Sequence, residues 1–370
     1  MIQMYQKPLH GKTIGVVLGA FAPLHQGHLD EIMRAKKEND GGCIIIVCGG
    51  ERDKGEPVDL PFKRRYRYVR EFFAKDDLVA VYGINDTESC VPDYPDGWPR
   101  WLEVFDEICK TAVSGETELV YYVGEWEYYE KLTELGRKSV YMDRLQNPIS
   151  ATMIRNNPIK HWNKITLPFR RIFSTNILIT GTASEGKSTL VQDLGKYFNA
   201  PASYEWARNY MADSCVNDNE LDSADYLAFL QGQYDLNKSL INSPANNGVF
   251  FADTDSMTTQ MYAEYYAKDC TCVLTEEEYK KIAVTAEELT RKSRWDKIFL
   301  VVPHGSFVDD HTRYMLHSGM TERQELFSIL CRLIKESGNW DKVVILDGNY
   351  YENFITIVNY VKGIIQHGKD

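Results

Sequence analysis

Paired cysteines are missing from this chain. Its eight cysteines, at 43, 48, 90, 109, 215, 270, 272 and 331, form no CxxC knuckle, and Cys270 and Cys272 have no His or Cys partner at metal-ligand spacing. That pattern fits reduced thiols and argues against a zinc site or a disulfide framework. No apolar run is long enough to cross a bilayer, and the opening MIQMYQKPLHGK has no apolar core of the signal-peptide kind. The expected location is the cytoplasm, without membrane insertion. Positive charge is in deficit: 42 Lys and Arg stand against 53 Asp and Glu, a net charge of −11. A phosphate backbone would be repelled overall, so nucleic acid is not an expected partner and any phosphate site must be a local positive pocket. What is present is ordinary globular material, 44% hydrophobic and 26% charged, in 370 residues that accommodate two domains with separate cores.

The chain is organised around residues 14–33, IGVVLGAFAPLHQGHLDEIM. The apolar run Ile14, Val16, Val17, Leu18 stops at Gly19, and Phe21, Ala22, Pro23, His25, Gly27 and His28 lead into helix-forming residues. The spacing predicts a buried parallel strand, a tight glycine-assisted turn and a helix start, where unpaired backbone N–H groups attract phosphate. His25 and His28 are three apart, so they share a face of that first turn and can aim at one anion. Imidazole N–H groups stabilise best where negative charge accumulates during a reaction. A surface turn with one capping and one solvated histidine is the plainer alternative, disfavoured by the strand before it and the helix after it. The ordered string Gly19, Phe21, Pro23, His25, Gly27, His28 resembles the signature of the nucleotidyltransferase superfamily. Its members join a nucleotide to a phosphorylated acceptor and release pyrophosphate.

Residues 43–48 (CIIIVC), 78–82, 119–123 and 140–142 read as further short strands, separated by helices at 61–74, from Trp98 onward, and up to about 135. The 61–74 helix carries Lys63, Arg64, Arg65, Arg67 and Arg70. A solvated basic face and a wall toward ATP phosphates are both open, with Arg65 and Arg67 as the candidates. The polar loop 85–98, NDTESCVPDYPDGW, is long enough to serve a site. Trp98 at its end either stacks on a flat heteroaromatic ring such as a pyridinium or covers the core edge with Trp101. Residues 149–155, ISATMIR, match the second superfamily signature, ISxTxxR. Ser150 and Thr152 suit a helix start, and Arg155 can clamp β and γ phosphates. The alternation predicts an α/β domain with a doubly wound parallel sheet and its site at the carboxyl ends of the strands. Residues 156–174 read as a connecting helix or linker, with the domain boundary near Pro168.

The second half opens with a strand at 177–180 followed by GTASEGKS, residues 181–188, which satisfies G-x-x-x-x-G-K-S/T ahead of a helix to 198. Gly181, Ser184, Glu185, Gly186 and Thr189 would line the phosphates, Lys187 would reach the β and γ positions, and Ser188 would ligate magnesium. An apolar strand at 249–252 ends in Asp253-Thr254-Asp255, and Asp253 is the better candidate for a magnesium-supporting carboxylate. Glu205, in YEWAR with Arg208, either takes the proton from a substrate hydroxyl or is an ordinary helix-start acid. Strands follow at 297–302 and 342–346. Between them Asp309, Asp310, His311, Thr312, Arg313 and Arg323 sit where P-loop kinases fold over the nucleotide, with Arg neutralising the transferring phosphoryl. The last helix, 351–366, has sheet-packing spacing and is read as structural.

A nucleotidyltransferase domain followed by a P-loop kinase resembles the bifunctional nicotinamide mononucleotide adenylyltransferase/ribosylnicotinamide kinase (NadR-type) family, from about Lys12 to the last helix. PDYPDGWPRW is similar to its nicotinamide-site segment and IRNNPIKHW to its inter-domain connection. The resemblance implies two doubly wound domains, 1–168 and 169–370, the second phosphorylating nicotinamide riboside and the first adenylylating the mononucleotide to NAD and pyrophosphate. It implies Gly19, Phe21, Ala22, His25, His28, Ser150, Thr152 and Arg155 at the adenylyl site, with Trp98 at the nicotinamide. Gly186, Lys187, Ser188 and Asp253 would meet nucleotide and metal, Glu205 and Arg208 the riboside, and Asp309, Asp310 and Arg313 the lid. Magnesium and ATP are implied, with GTP an open alternative as phosphoryl donor, and a homo-oligomer is expected. Two departures stand out. The first strand starts by Thr13, so the repressor helix-turn-helix of some members is not expected, and His311 stands where a glycine is expected after the lid aspartates. The rivals are a fusion acting on another phosphorylated acceptor, and an NAD/ATP sensor without turnover.

Overall fold

The structure is a computed structural model that describes residues 7–50, 53–93, 96–143, 148–268, 274–304 and 319–367. Its contacts divide the chain into two units between Phe173 and Ser174.

The first unit alternates strands and helices: β1 (Thr13–Gly19), α1 (Gln26–Glu38), β2 (Cys43–Gly49), α2 (Phe62–Phe72), β3 (Val79–Asn85), α3 (Trp98–Ala112), β4 (Glu118–Val123), α4 (Trp126–Glu134), β5 (Lys138–Tyr141), α5 (Ala151–Asn156) and α6 (Leu167–Phe173). The strands are parallel in the order β3-β2-β1-β4-β5. Strand order reverses beside β1, so the carboxyl end of β1 opens on the crevice where such sheets bind ligands. Side-chain alternation sends Val16, Ile44 and Ile46 to one face, under Trp101 and Phe105 of α3. Val17, Ile45 and Val47 go to the other, under Ile32 of α1 and Val69 of α2. Both faces are covered, and this is why the strands read as unbroken apolar runs.

The expected boundary near Pro168 falls inside α6. Phe169, Ile172 and Phe173 belong to the first unit's core, and the Phe169 ring meets Tyr68 edge-on at 5.4 Å. Burial of these aromatics keeps the segment with the first unit, and the division moves to the residue after Phe173.

The second unit runs β6 (Thr175–Gly181), α7 (Lys187–Phe198), β7 (Ala202–Ser203), α8 (Trp206–Ser214), α9 (Ser223–Ile241), β8 (Val249–Ala252), α10 (Ser256–Lys268), α11 (Glu276–Lys292), β9 (Lys297–Val301), α12 (Met320–Glu336), β10 (Val343–Leu346) and α13 (Tyr350–His367). Its strands are parallel in the order β10-β9-β6-β8-β7. Central β6 is buried along its whole length. Leu178, Phe250, Ile298 and Leu300 pack against α10 and α12, while α8 to α11 close a second helical cluster around Phe229 and Leu230. Two doubly wound α/β units are therefore present, as the sequence pattern predicts. The described cysteines are free thiols, and burial pushes Cys48 up to about 12. Among the described residues, no helix is long and apolar enough to cross a membrane.

Candidate functional site

In the first unit β1 ends at Gly19 and α1 begins after His25, its N-cap, whose side chain makes no capping bond. The first N–H groups of α1 remain directed out of the helix start. Phe21 is held at φ 47°, a left-handed conformation that a bulky residue adopts only under tertiary constraint. Its ring lies against Gly19 and meets His28 edge-on at 5.0 Å. His25 and His28 stack at 3.8 Å with an interplanar angle of 24°, so the shared face expected from their spacing is realised. The second motif arrives at the same bend. Ser150 caps α5, its Oγ accepting from the Met153 N–H at 3.2 Å. Arg155 donates through Nη1 to the Ala22 carbonyl (2.6 Å) and through Nη2 to Thr152 Oγ1 (2.9 Å). Burial lowers the Arg155 pKa from its ordinary value.

The segment read as a linker also reaches this bend. Lys164 Nζ donates to Gln26 Oε1 (2.7 Å), and Thr166 donates from both its N–H (3.3 Å) and its Oγ1 (3.0 Å) to the Leu24 carbonyl. Nothing in the local pattern of 164–166 announces this role.

Arg65 corrects an expectation. Its guanidinium is fully buried and does not face out as a wall toward phosphate. It donates to the carbonyls of Leu60 (2.9 Å), Cys48 (3.0 Å) and Ala20, and pairs with Asp53. Desolvation lowers its pKa, with Asp53 opposing. A Cβ on Gly49 would come within 2.4 Å of Nη2, so the glycine is what lets the guanidinium in. Arg65 thus braces the bend from behind, and Arg67 is solvent-exposed.

Of the two readings of Trp98, the structure shows the core-edge one, with Trp101 as its partner. Trp98 is buried in the core beneath the sheet, edge-on to Trp101 (5.8 Å) and Tyr128 (5.1 Å). It also lines a cavity with Leu18, Asp86, Tyr128 and Val91, at the carboxyl end of β1. Asp86 follows β3 directly, and the sequence reading passed it over. Burial pushes its carboxyl up, and the charge of Asp53 adds to that. The signal was available: an acid at the tip of an apolar strand, the same cue that singled out Asp253.

In the second unit the bend is built from adjacent residues. Gly186 caps α7 at φ 72°, where an L side chain would be strained, and Ser184 sits at φ 64°. Lys187 Nζ donates to the Thr182 carbonyl at 2.6 Å. Ser188 Oγ donates to Asp253, and Thr189 is exposed in the first turn of the helix. Burial pushes the Asp253 carboxyl up; Lys187 and Arg208 oppose, and Glu205 reinforces. The four groups therefore form one charge cluster. Asp253 Oδ1 is buried without a hydrogen-bond partner among the described residues. Asp255 is engaged elsewhere: it accepts from the N–H groups of Met257 (3.0 Å) and Thr258 (3.3 Å) and from Trp295 Nε1 (3.0 Å). Burial pushes Asp255 up to about 6.

Glu205 stands at the N-cap position of α8 and accepts from Arg208 Nε at 2.7 Å. It lines an apolar cavity with Tyr226, Phe229, Tyr262, Tyr266 and Asp218. The sequence reading missed this wall, although Tyr262 and Tyr266 at i, i+4 and Tyr226 and Phe229 at i, i+3 share helix faces. Glu185, expected at the nucleotide, turns its carboxylate onto Arg323 at 2.6 Å, with both side chains almost wholly buried, and accepts from the His304 N–H at 3.1 Å. Arg323, expected with the lid, thus bonds the glycine loop. Asp309, Asp310, His311 and Arg313 lie outside the described residues. Among the described residues, no group of three or more His, Cys, Asp or Glu is placed to hold a metal.

Comparison with known proteins gives the same division. The Cytidylyltransferase-like family matches residues 16–157 and the AAA domain family residues 176–353. The Trifunctional NAD biosynthesis/regulator protein NadR of Escherichia coli (strain K12) is 28% identical over 365 residues, covering 96% of this chain and 84% of that protein. The crystal structure of NadR protein in complex with NR matches with a TM-score of 0.85 and 32% identity over 99% of this chain and 98% of that one. A second, NadR protein in complex with NAD and AMP-PNP, matches with a TM-score of 0.83 and 33% identity, over 97% and 98% of the two chains. This chain belongs to the NadR family.

Proposed function

We propose that the chain makes NAD in two steps, the second unit phosphorylating nicotinamide riboside and the first adenylylating the resulting mononucleotide. The observation that carries this reading is that each unit places a glycine bend with phosphate-seeking groups and an aromatic cavity holding an acid in the same sheet fold. An aromatic wall with a carboxylate suits a flat cationic pyridinium ring. Relatives solved with NR, and with NAD and AMP-PNP, support the same substrates.

In the second unit the 5′-hydroxyl of the riboside attacks the γ-phosphorus of ATP, and the bond to the β-γ bridging oxygen breaks to release ADP. Glu205 accepts the hydroxyl proton, Lys187 neutralises the β and γ oxygens, and Arg208 holds the Glu205 carboxylate in place. Ser188 and Asp253 would hold magnesium, which supplies charge neutralisation at the phosphates; the buried unpartnered oxygen of Asp253 fits that role. In the first unit a phosphate oxygen of the mononucleotide attacks the α-phosphorus of ATP in line, and pyrophosphate leaves. The attacker is already an anion, so no side-chain nucleophile is needed. His25, His28, Arg155 and the amides of α1 align and neutralise the phosphates. The expectations of a cytoplasmic enzyme and a homo-oligomer stand with this reading; exposed Trp126 and Tyr141 beside edge strand β5 support the second. Light scattering tests it.

The deciding experiment supplies purified protein with nicotinamide riboside, ATP and magnesium. Mononucleotide followed by NAD and pyrophosphate is expected. Absence of both products overturns the reading, and mononucleotide without NAD overturns its first-unit half.

A further inference from the structure

The cavity beside Trp98 carries two buried polar atoms without hydrogen-bond partners among the described residues, Asp86 Oδ1 and Trp98 Nε1. One is an acceptor and the other a donor. Buried groups of this kind are costly to leave unmet, so the wall suits a ligand that brings both a donor and an acceptor. A primary carboxamide brings both, its NH2 and its C=O. A carboxylate brings only acceptors and a negative charge.

The backbone holds Asp86 in position. Its N–H donates to the Gly49 carbonyl (3.0 Å) and its C=O accepts from the Val91 N–H (2.9 Å). No lysine or arginine is among the described residues lining the cavity, and Asp93 at its rim adds a second acid. The Arg65 guanidinium is already bonded to Leu60, Cys48, Ala20 and Asp53. The Arg65 charge is felt at Asp86, but its donors are taken, so an incoming carboxylate finds like charge and no cationic donor among the lining residues to pair with.

Resting on the adenylyltransferase reading of the first unit, we propose that Asp86 is the specificity residue that admits a pyridine carboxamide and rejects the corresponding carboxylate. The amide N–H donates to Asp86 Oδ1, and the indole N–H of Trp98 donates to the amide oxygen. The cationic ring beside Asp86 favours its ionised form against the push of burial.

The test measures adenylyl transfer to nicotinamide mononucleotide and to nicotinate mononucleotide, each with ATP, in wild type and Asp86→Asn, with the thermal unfolding profile of the whole chain, both unit transitions retained, as the check that the variant is folded. Wild type is expected to favour the amide in kcat/KM by about a hundred-fold or more, because the acid leaves a polar partner unmet and repelled. Asp86→Asn keeps the side-chain shape and removes the charge, and that ratio is expected to fall at least about ten-fold, mainly through KM for the acid. If Asp86→Asn loses both activities, Asp86→Ser takes its place. Wild type that uses both mononucleotides equally, or a folded variant with an unchanged ratio, overturns the role of Asp86 and leaves the enzyme reading intact. Wild type that adenylylates neither overturns the adenylyltransferase reading itself.

Discussion

The two glycine bends differ in how far their parts travel. In the second unit Lys187 turns back five residues to the Thr182 carbonyl, and the loop, the lysine and the serine come from one contiguous string. In the first unit the guanidinium on the bend comes from Arg155, 133 residues beyond the Ala22 carbonyl it holds, and Lys164 and Thr166 add their grip from further still. Each bend is also braced by a buried arginine, but Arg65 grips backbone carbonyls whereas Arg323 grips the side chain of Glu185. The contiguous loop carries its phosphate-facing groups in one string and leans on a single distant arginine. An assembled one fails through any of several distant segments.

The sharpest way to break that comparison is a reciprocal pair of substitutions. Lys187→Ala should lower riboside phosphorylation about a thousand-fold, because a cation at developing phosphoryl charge is lost, while adenylyl transfer persists. His28→Ala should lower adenylyl transfer about a hundred-fold and spare the kinase. Separate assays of mononucleotide and NAD check both, and parallel loss from a folded protein would contradict two independent sites. Next in size is the brace. Arg65→Ala leaves Asp53 and three carbonyls facing a void and should cost about 3 kcal/mol, read as an earlier denaturant midpoint. The neighbouring Arg67→Ala should stay within about 0.5 kcal/mol, since its side chain is exposed. Smaller than the loss of the brace, though above that exposed-site control, is Ser150→Ala, which removes the cap of α5 and should cost about 1 kcal/mol, with adenylyl transfer falling as Arg155 loosens.

What could be read from sequence follows the same line between local and assembled. The strands, Gly186, Lys187 and the His25–His28 pair were legible because their chemistry depends on neighbours within a few residues. Ser150 was legible as a cap for the same reason. Arg65 was misread because a basic helix looks alike whether its arginine meets solvent or a set of carbonyls, and only the close approach over Gly49 tells them apart. Residues 164–173 were read as connection because their apolar positions serve a core formed by α2, far earlier in the chain. The aromatic cavity walls escaped because Tyr128 and Tyr262 look like routine helix faces until a loop with an acid comes to lie beside them.

One practical result follows from the way Thr166 ties itself to Leu24 and Phe169 sits on Tyr68. A gene split to put the two reactions on separate polypeptides has its natural seam at 173/174. Cutting a few codons earlier would hand part of the first enzyme's floor to the second.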